Sequence, residues 1–259
     1  GAARNSHYGA SKGAVTAFVR ALAVELARHK IRVNSLLPGW IVTEMTEKSV
    51  GNSKFADAVM PRIPARRWGE IDVNNYFPAN GGYPEIAEVR KAETQFVNIG
   101  GGWHTDHSYD VEPALGSMLV AREVPSHGGD TLFASMYAAY DALSDRMKNY
   151  LNGMTALHDG ESNYRGTYKN FGVVDKPSYP HAEHPVVRTH PVTGRQALYV
   201  NRGFTIHLNG VPKDESAGVL RYLYEHIENP LFQCRFHWKK NSIAFWDNRC
   251  VQHRAMWDY

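Results

Sequence analysis

Apolar residues first recur with helical spacing. Val15, Phe18, Val19, Leu22 and Leu26 stand at i, i+3, i+4, i+7 and i+11, which places them on one face of an α-helix. A run with strand character follows, Ile31-Arg32-Val33-Asn34-Ser35-Leu36-Leu37, and Pro38-Gly39 ends it. Helix, strand and turn in that order predict one αβ unit of a parallel sheet. From Arg66 the pattern changes. Short strand-like runs, Trp103 to Tyr109, Met118 to Arg122, Ala197 to Asn201 and Ser242 to Asp247, alternate with glycine and proline turns, the pattern of a sandwich or jelly roll. Two helices interrupt them. One starts near Ser144 and carries Met147 and Leu151 before Gly153; the other places Val219, Leu220, Leu223 and Ile227 before Pro230. The chain reads as two units, 1–65 and 66–259.

Composition narrows the class of protein without naming a chemistry. Of 259 residues, 43% are hydrophobic and 12% aromatic, ample for a packed core. The formal charge is +3 and the basic residues are spread along the chain, so neither a nucleic acid nor a membrane surface is an expected partner. Cys234 and Cys250 are the only cysteines and neither has metal-ligand spacing, which argues against a disulfide framework. No apolar run approaches the roughly 18 residues of a membrane-spanning helix. No signal sequence precedes the first motif, so the expected compartment is the cytoplasm.

Trp103-His104-Thr105-Asp106 sets an imidazole and a carboxylate at i and i+2. On a strand these side chains point to one face and can share a metal. A third ligand must come from elsewhere, and His253, beyond the strand and turn Phe245-Trp246-Asp247-Asn248-Arg249, is the candidate. Two neutral histidines and one carboxylate form the facial set associated with non-haem Fe(II), which leaves three coordination positions open. Alternation puts His107 on the face opposite His104. His158, His184, His190 and His207 lack ligand spacing and are expected to be structural or exposed.

From Arg66 to Tyr259 the chain resembles the taurine dioxygenase family. Four motifs carry the resemblance in the family's order and spacing: Trp103 to Asp106, Gly128-Gly129-Asp130-Thr131-Leu132-Phe133, His184 to Pro191, and Trp246 to Arg249 through His253. It implies a mostly β double-stranded β-helix, one form of jelly roll, with interspersed helices. The implied activity is that of an Fe(II)/2-oxoglutarate-dependent dioxygenase, which uses O2 to hydroxylate a small organic, anionic substrate and releases succinate and CO2. The resemblance makes His104, Asp106 and His253 the iron ligands, Thr131 a binder of a 2-oxoglutarate carboxylate, and Trp246 a wall of that pocket. The taurine enzymes carry His, Tyr and Asn where this chain has Asn74, Phe77 and Gly100. Those losses imply a substrate other than taurine, such as an organic acid, another sulfonate or a sulfate ester. Tyr164 and Phe204 align with aromatic pocket positions, core packing being the alternative role for each.

The first 70 residues or so resemble a different family. Tyr8-Gly9-Ala10-Ser11-Lys12, Ile31 to Asn34 and Pro38-Gly39 are similar to the later part of a short-chain dehydrogenase/reductase, a Rossmann-type fold. The resemblance makes Tyr8 the proton donor and Lys12 its partner on the nicotinamide ribose. That family's glycine-rich phosphate cradle and catalytic serine have no counterpart here, so an NAD(P) site is not expected to work. The arginines with which the dioxygenases grip the far carboxylate of 2-oxoglutarate and the substrate anion would fall beyond Tyr259; Arg249 and Arg254 are near in sequence but do not match. The expectation is a chimera joined near Ala65-Arg66-Arg67-Trp68-Gly69-Glu70, a hexapeptide that fits both families, with an incomplete dioxygenase domain. Two rival readings stand beside it: an NAD(P)-dependent reductase acting through Tyr8 and Lys12, and a catalytically inert chimeric fragment. A small molecule is the expected partner, and a homo-oligomer is compatible with every reading.

Overall fold

The computed structural model describes residues 6–29, 41–42, 46–62, 79–80, 83–91, 99–166 and 178–259. The chain divides into two compact units, Gly1–Ile71 and Asp72–Tyr259. In the first, Ser6–Leu26 forms α1 and a 3-10 turn, Ala27–His29, closes it. Two short helices follow, α2 (Glu47–Val50) and α3 (Ser53–Val59). Asn52 caps α3 by accepting the Phe55 amide, which satisfies one of the unpaired donors of the first turn. The expected helix is present, but its apolar face seals no core: no residue of α1 is buried, and Val15 and Phe18 are exposed. The strand-like run 31–37, Pro38-Gly39, the hexapeptide 65–70, Asn74 and Phe77 lie outside the described residues.

In the second unit strands outweigh helices. β1 (Ala79–Asn80), β2 (Tyr83–Ala87), β3 (Gly116–Val120) and β4 (Thr131–Ser135) precede α4 (Met136–Asp141) and α5 (Asp145–Leu151). Then come β5 (Thr155–Asp159), α6 (Glu161–Tyr164), β6 (His181–Pro185), β7 (Val187–Thr189), β8 (Gln196–Leu198) and β9 (Thr205–Leu208). The chain closes with α7 (Lys213–Ile227), β10 (Gln233–Phe236), β11 (Ile243–Asp247) and β12 (Val251–Ala255). The described pairings are antiparallel: β1 with β2, β10-β4-β12, β11 with β3, β6-β5-β9 and β7 with β8.

Two helices start where the sequence has hydroxyls to cap them. Ser135 and Ser144 accept the amides of Ala138 and Met147 at the first turns of α4 and α5. On α7, Ser216, Leu220, Leu223 and Ile227 are buried, the i, i+4, i+7, i+11 stripe that period 3.6 requires. Leu220, Leu223 and Ile227 pack with Met136, Leu151, Leu198, Val200 and Leu208 in one core. Burying a side chain of leucine size stabilises by about 1.5–3 kcal/mol, so this stripe anchors α7 against the sheets.

The expected strand from Trp103 to Tyr109 is corrected. Its only ladder contact among the described residues is a single antiparallel bridge, His104 with His253, and residues 106–109 form turns. His107 has φ +55° and its Nδ1 lies 2.9 Å from Asp110 Oδ2, while the Asp110 amide donates to the His107 carbonyl at 3.0 Å. The side-chain contact and the backbone bond close a tight turn that a strand cannot follow. His107 therefore takes its direction from this turn and not from strand alternation. The expected strand at Ala197 to Asn201 shrinks to Gln196–Leu198.

Candidate metal centre

His104 and His253 are brought together by backbone. The His104 amide donates to the His253 carbonyl at 3.1 Å, and the His253 amide donates back to the His104 carbonyl at 2.9 Å. Two residues that exchange both bonds in an antiparallel pair send their side chains to the same face. The rings accordingly lie 4.2 Å apart, centroid to centroid. β12 carries His253 opposite Phe133 of β4, so the sheet fixes one half of the pair and the bridge fixes the other.

Asp106 completes the cluster from the turn. Its Oδ1 is 3.4 Å from His104 Nε2 and 3.7 Å from His253 Nε2, and one ligand atom from each residue lies within 4.8 Å of the others. Asp106 Oδ2 points away and accepts the Ser117 hydroxyl at 2.6 Å. His104 Nδ1 donates to the Gly102 carbonyl at 2.8 Å, which leaves the lone pair of Nε2 facing the carboxylate. That donor set fits a divalent cation: two imidazole nitrogens and one carboxylate oxygen on one side, with the outer atoms of His104 and Asp106 engaged, while His253 Nδ1 is buried without a hydrogen-bond partner among the described residues.

Charge in the cluster is strongly coupled. Burial disfavours an ionised Asp106, but His253 and the bonds from His104 and Ser117 prevail and hold its carboxyl well below the usual carboxylate range. Burial likewise opposes a charged His104, and the bond and charge of Asp106 overcome it and raise this imidazole. Burial pushes His253 down to about 4 against the attraction of Asp106. A proton and a metal cation would compete for the lone pair of His104 Nε2, and either would offset the charge of Asp106.

Thr131 and Trp246 are placed differently with respect to this cluster. The Trp246 ring packs against His253 at 4.6 Å and against Phe133 at 5.3 Å, and its buried Nε1 has no hydrogen-bond partner among the described residues. Thr131 is buried two residues from Phe133 on the same face of β4, and its Oγ1 accepts the Trp238 indole at 2.9 Å. The carbonyl of Gly100, a residue at φ +70°, accepts the Ala255 amide at 2.8 Å, and a Cβ at Gly100 would sit 3.2 Å from His104 Cε1. Phe204 meets the His104 ring edge-on at 6.2 Å. Tyr164 stacks on Phe204 within a buried aromatic cluster that includes Tyr109 and Tyr179.

Sequence reasoning missed Ser117, and Gly203, whose Cβ would fall 3.0 Å from His104 Cβ. Neither carries a signal beyond its residue type. It also assigned no role to Asn248, although the residue sits inside a motif. Arg249 is occupied: its Nε and Nη2 grip the two oxygens of Asp247. Arg254 leaves a buried Nε without a hydrogen-bond partner among the described residues and lies over the Trp103 ring at 5.8 Å. His158, His184 and His190 are structural. His158 is fully buried, with Nδ1 3.1 Å from Ser108 Oγ, His184 Nε2 donates to the Asp110 carbonyl at 2.9 Å, and His190 bonds Asp247. His207 is exposed. In the first unit Tyr8 is about half exposed, and Lys12 Nζ lies 5.4 Å from its ring centre.

A second trio, His190, Asp247 and Cys250, also gathers its ligand atoms within 4.8 Å. Its protons point the wrong way for a metal. His190 Nδ1 accepts the amides of Val192 and Thr193, each at 3.2 Å, so Nε2 carries the hydrogen and donates it to Asp247 Oδ2 at 3.1 Å. Burial also pushes the Cys250 thiol up, away from the thiolate that a metal needs. The trio pins the turn between β11 and β12.

The fold and the trio at His104 define a class, and comparison with known proteins agrees with it. Residues 63–259 match the model of the "Taurine catabolism dioxygenase TauD, TfdA family", and the chain belongs to that family. Residues 1–75 match a second model, described as "Enoyl-(Acyl carrier protein) reductase". Among individual relatives, the alpha-ketoglutarate-dependent sulfonate dioxygenase of Saccharomyces cerevisiae is 32% identical over 219 residues, 80% of this chain and 53% of that protein. The alpha-ketoglutarate-dependent 2,4-dichlorophenoxyacetate dioxygenase of Cupriavidus pinatubonensis is 37% identical over 208 residues, 74% of this chain and 72% of the relative. The crystal structure of AAD-2 in complex with Mn(II) and N-oxalylglycine superposes with a TM-score of 0.53 at 33% identity, covering 61% of this chain and 62% of that one. The chain spans about half the length of the first curated relatives it matches, between 40% and 53%. No described helix is long and apolar enough to cross a membrane.

Proposed function

We propose that residues 66–259 form an Fe(II)/2-oxoglutarate-dependent dioxygenase domain that hydroxylates a small anionic organic substrate and releases succinate and CO2, with residues 1–65 a reductase-like segment outside that chemistry. The observation that carries this reading is the trio itself: His104 Nε2, Asp106 Oδ1 and His253 Nε2 converge, with the two histidines paired through backbone and His104 held by the Gly102 carbonyl. These three residues would hold the iron. When bound, Fe(II) supplies oxygen activation coupled to decarboxylation of 2-oxoglutarate.

The protein's own groups do the positioning. Thr131 accepts from Trp238, so its own hydroxyl hydrogen is available to a carboxylate of 2-oxoglutarate. Trp246 packs on the His253 ring and covers that side of the cluster against water. Phe204 and Tyr164 are buried together in an aromatic cluster that meets His104 edge-on, which fits the core-packing role and not a substrate surface. The substrate class follows the relatives, whose names include a sulfonate and an aryloxyacetate dioxygenase.

The test is oxygen consumption and succinate release with Fe(II), 2-oxoglutarate and a panel of sulfonates, sulfate esters and carboxylates. Turnover should require both iron and 2-oxoglutarate and vanish in Asp106→Ala. Succinate release unchanged in Asp106→Ala would overturn the assignment.

A further inference from the structure

We propose that Ser117, held by Asn248, is a positioning residue that decides which oxygen of Asp106 faces the two histidines. The inference rests on the reading of Asp106 as a metal ligand and concerns how that ligand is aimed. Ser117 lies on β3 directly opposite Trp246 of β11, so its side chain shares the Trp246 face of that sheet. Its Oγ is 2.6 Å from Asp106 Oδ2 and 2.9 Å from Asn248 Nδ2.

The direction of each bond follows from elementary chemistry. The Ser117 hydroxyl donates to Asp106 Oδ2, since a carboxylate oxygen accepts. Ser117 Oγ must then accept from Asn248, whose amide nitrogen donates. Asn248 is 1% exposed, and its Oδ1 has no partner among the described residues. A buried amide with an unsatisfied oxygen costs stability, and the bond to Ser117 is the one that orients it. The relay Asn248 to Ser117 to Asp106 therefore runs one way and ends on Oδ2.

The consequence is at Oδ1. A carboxylate free to turn about its Cβ–Cγ bond can present either oxygen, or both, to a cation. With Oδ2 tied back, Oδ1 alone faces His104 and His253, at 3.4 and 3.7 Å. Single-oxygen ligation by Asp106 would leave room on a bound ion for a chelating cosubstrate. Residues that hold a ligand in this way are worth about 10–100-fold in metal affinity.

The experiment is Co(II) titration of the full chain and its variants, read by the visible d–d absorption of the bound ion and by the dissociation constant. Ser117→Ala should weaken Co(II) binding by about 10-fold or more and change the d–d spectrum as the carboxylate turns. Ser117→Thr, which keeps the hydroxyl, should restore both, and Asn248→Ala should shift the spectrum in the same sense by a smaller amount. A Ser117→Ala spectrum and affinity identical to the parent, with Co(II) lost in Asp106→Ala, would overturn the relay while leaving the metal site intact. Co(II) bound unchanged by Asp106→Ala would remove the site reading and the relay with it. Should Ser117→Ala fail to fold, Asn248→Ala decides: an unaltered spectrum there refutes the relay.

Discussion

Two trios among the described residues contain a histidine, an aspartate and a third metal-capable residue, and both hold their candidate atoms within 4.8 Å. Their chemistry differs because their backbones differ. At His104 a carbonyl takes the Nδ1 hydrogen, so Nε2 presents a lone pair to Asp106, whose Oδ1 no arginine covers among the described contacts. At His190 two amides feed Nδ1, so Nε2 is a donor, and Arg249 grips both oxygens of its aspartate. Proximity of ligand types makes a cluster, and the tautomer imposed by neighbouring peptide groups decides whether a cation or a hydrogen bond fills it.

The largest test of this contrast is metal binding. Asp106→Ala or His253→Ala should weaken Mn(II) by about 100-fold or more, beyond the range of losses from residues that only support a ligand, whereas Cys250→Ser should change it less than about threefold. Isothermal titration with Mn(II) reads both, and a Cys250→Ser loss comparable to that of Asp106→Ala would break the distinction.

A third use of histidine sharpens it through pH. Burial, reinforced by His184, pushes His158 down to about 3 from its ordinary 6.5. The native state keeps it neutral while the unfolded chain takes up a proton below about pH 6.5. The stability this neutral residue contributes is therefore complete above pH 6.5 and is lost as pH falls toward about 3, at about 1.4 kcal/mol per pH unit. Urea unfolding of His158→Gln between pH 7 and 4 should show that slope reduced; an unchanged slope would mean that other groups carry it.

Arg249→Ala should act on the other trio alone. It removes a two-pronged charged bond from Asp247 and should cost about 2 kcal/mol in urea unfolding. Burial opposes ionisation of Asp247, but the bonds from Arg249 and His190 hold its carboxyl below the ordinary value. Its stabilising effect is therefore complete above the unfolded carboxylate range, near pH 4, and is lost as pH falls through the lower folded value. In the variant the folded value rises toward the unfolded one, so the loss should be smaller and should end at a higher pH. Mn(II) affinity should stay within about threefold.

The smallest expected effect is at Gly100. A Cβ there meets His104 Cε1 at 3.2 Å on a backbone at φ +70°, so Gly100→Ala should cost about 1–2 kcal/mol and loosen Mn(II) a few-fold. Titration of the variant checks whether the ring is steered from this side, and an unshifted dissociation constant would show that the Gly102 carbonyl suffices.

Much of this was legible in residue order. The stripe Leu220, Leu223 and Ile227 announced α7, Ser144 announced the start of α5, and Ile243 to Asp247 announced β11, because each depends on local periodicity or a local cap. His104, Asp106 and His253 were legible as a candidate set from spacing, motif and family resemblance. Their meeting was not, since the bridge that joins positions 104 and 253 is a long-range backbone pairing, and the supposed strand at 103–109 is a turn closed by His107 and Asp110. Only the fold could bring Ser117 and Asn248 onto Asp106, or turn the His190 hydrogen toward Asp247. Sequence determines which groups exist and which local elements they favour. Nearby peptide groups set the histidine tautomers, but which group each ring or carboxylate then meets depends on residues far away along the chain, and those are placed by tertiary structure alone.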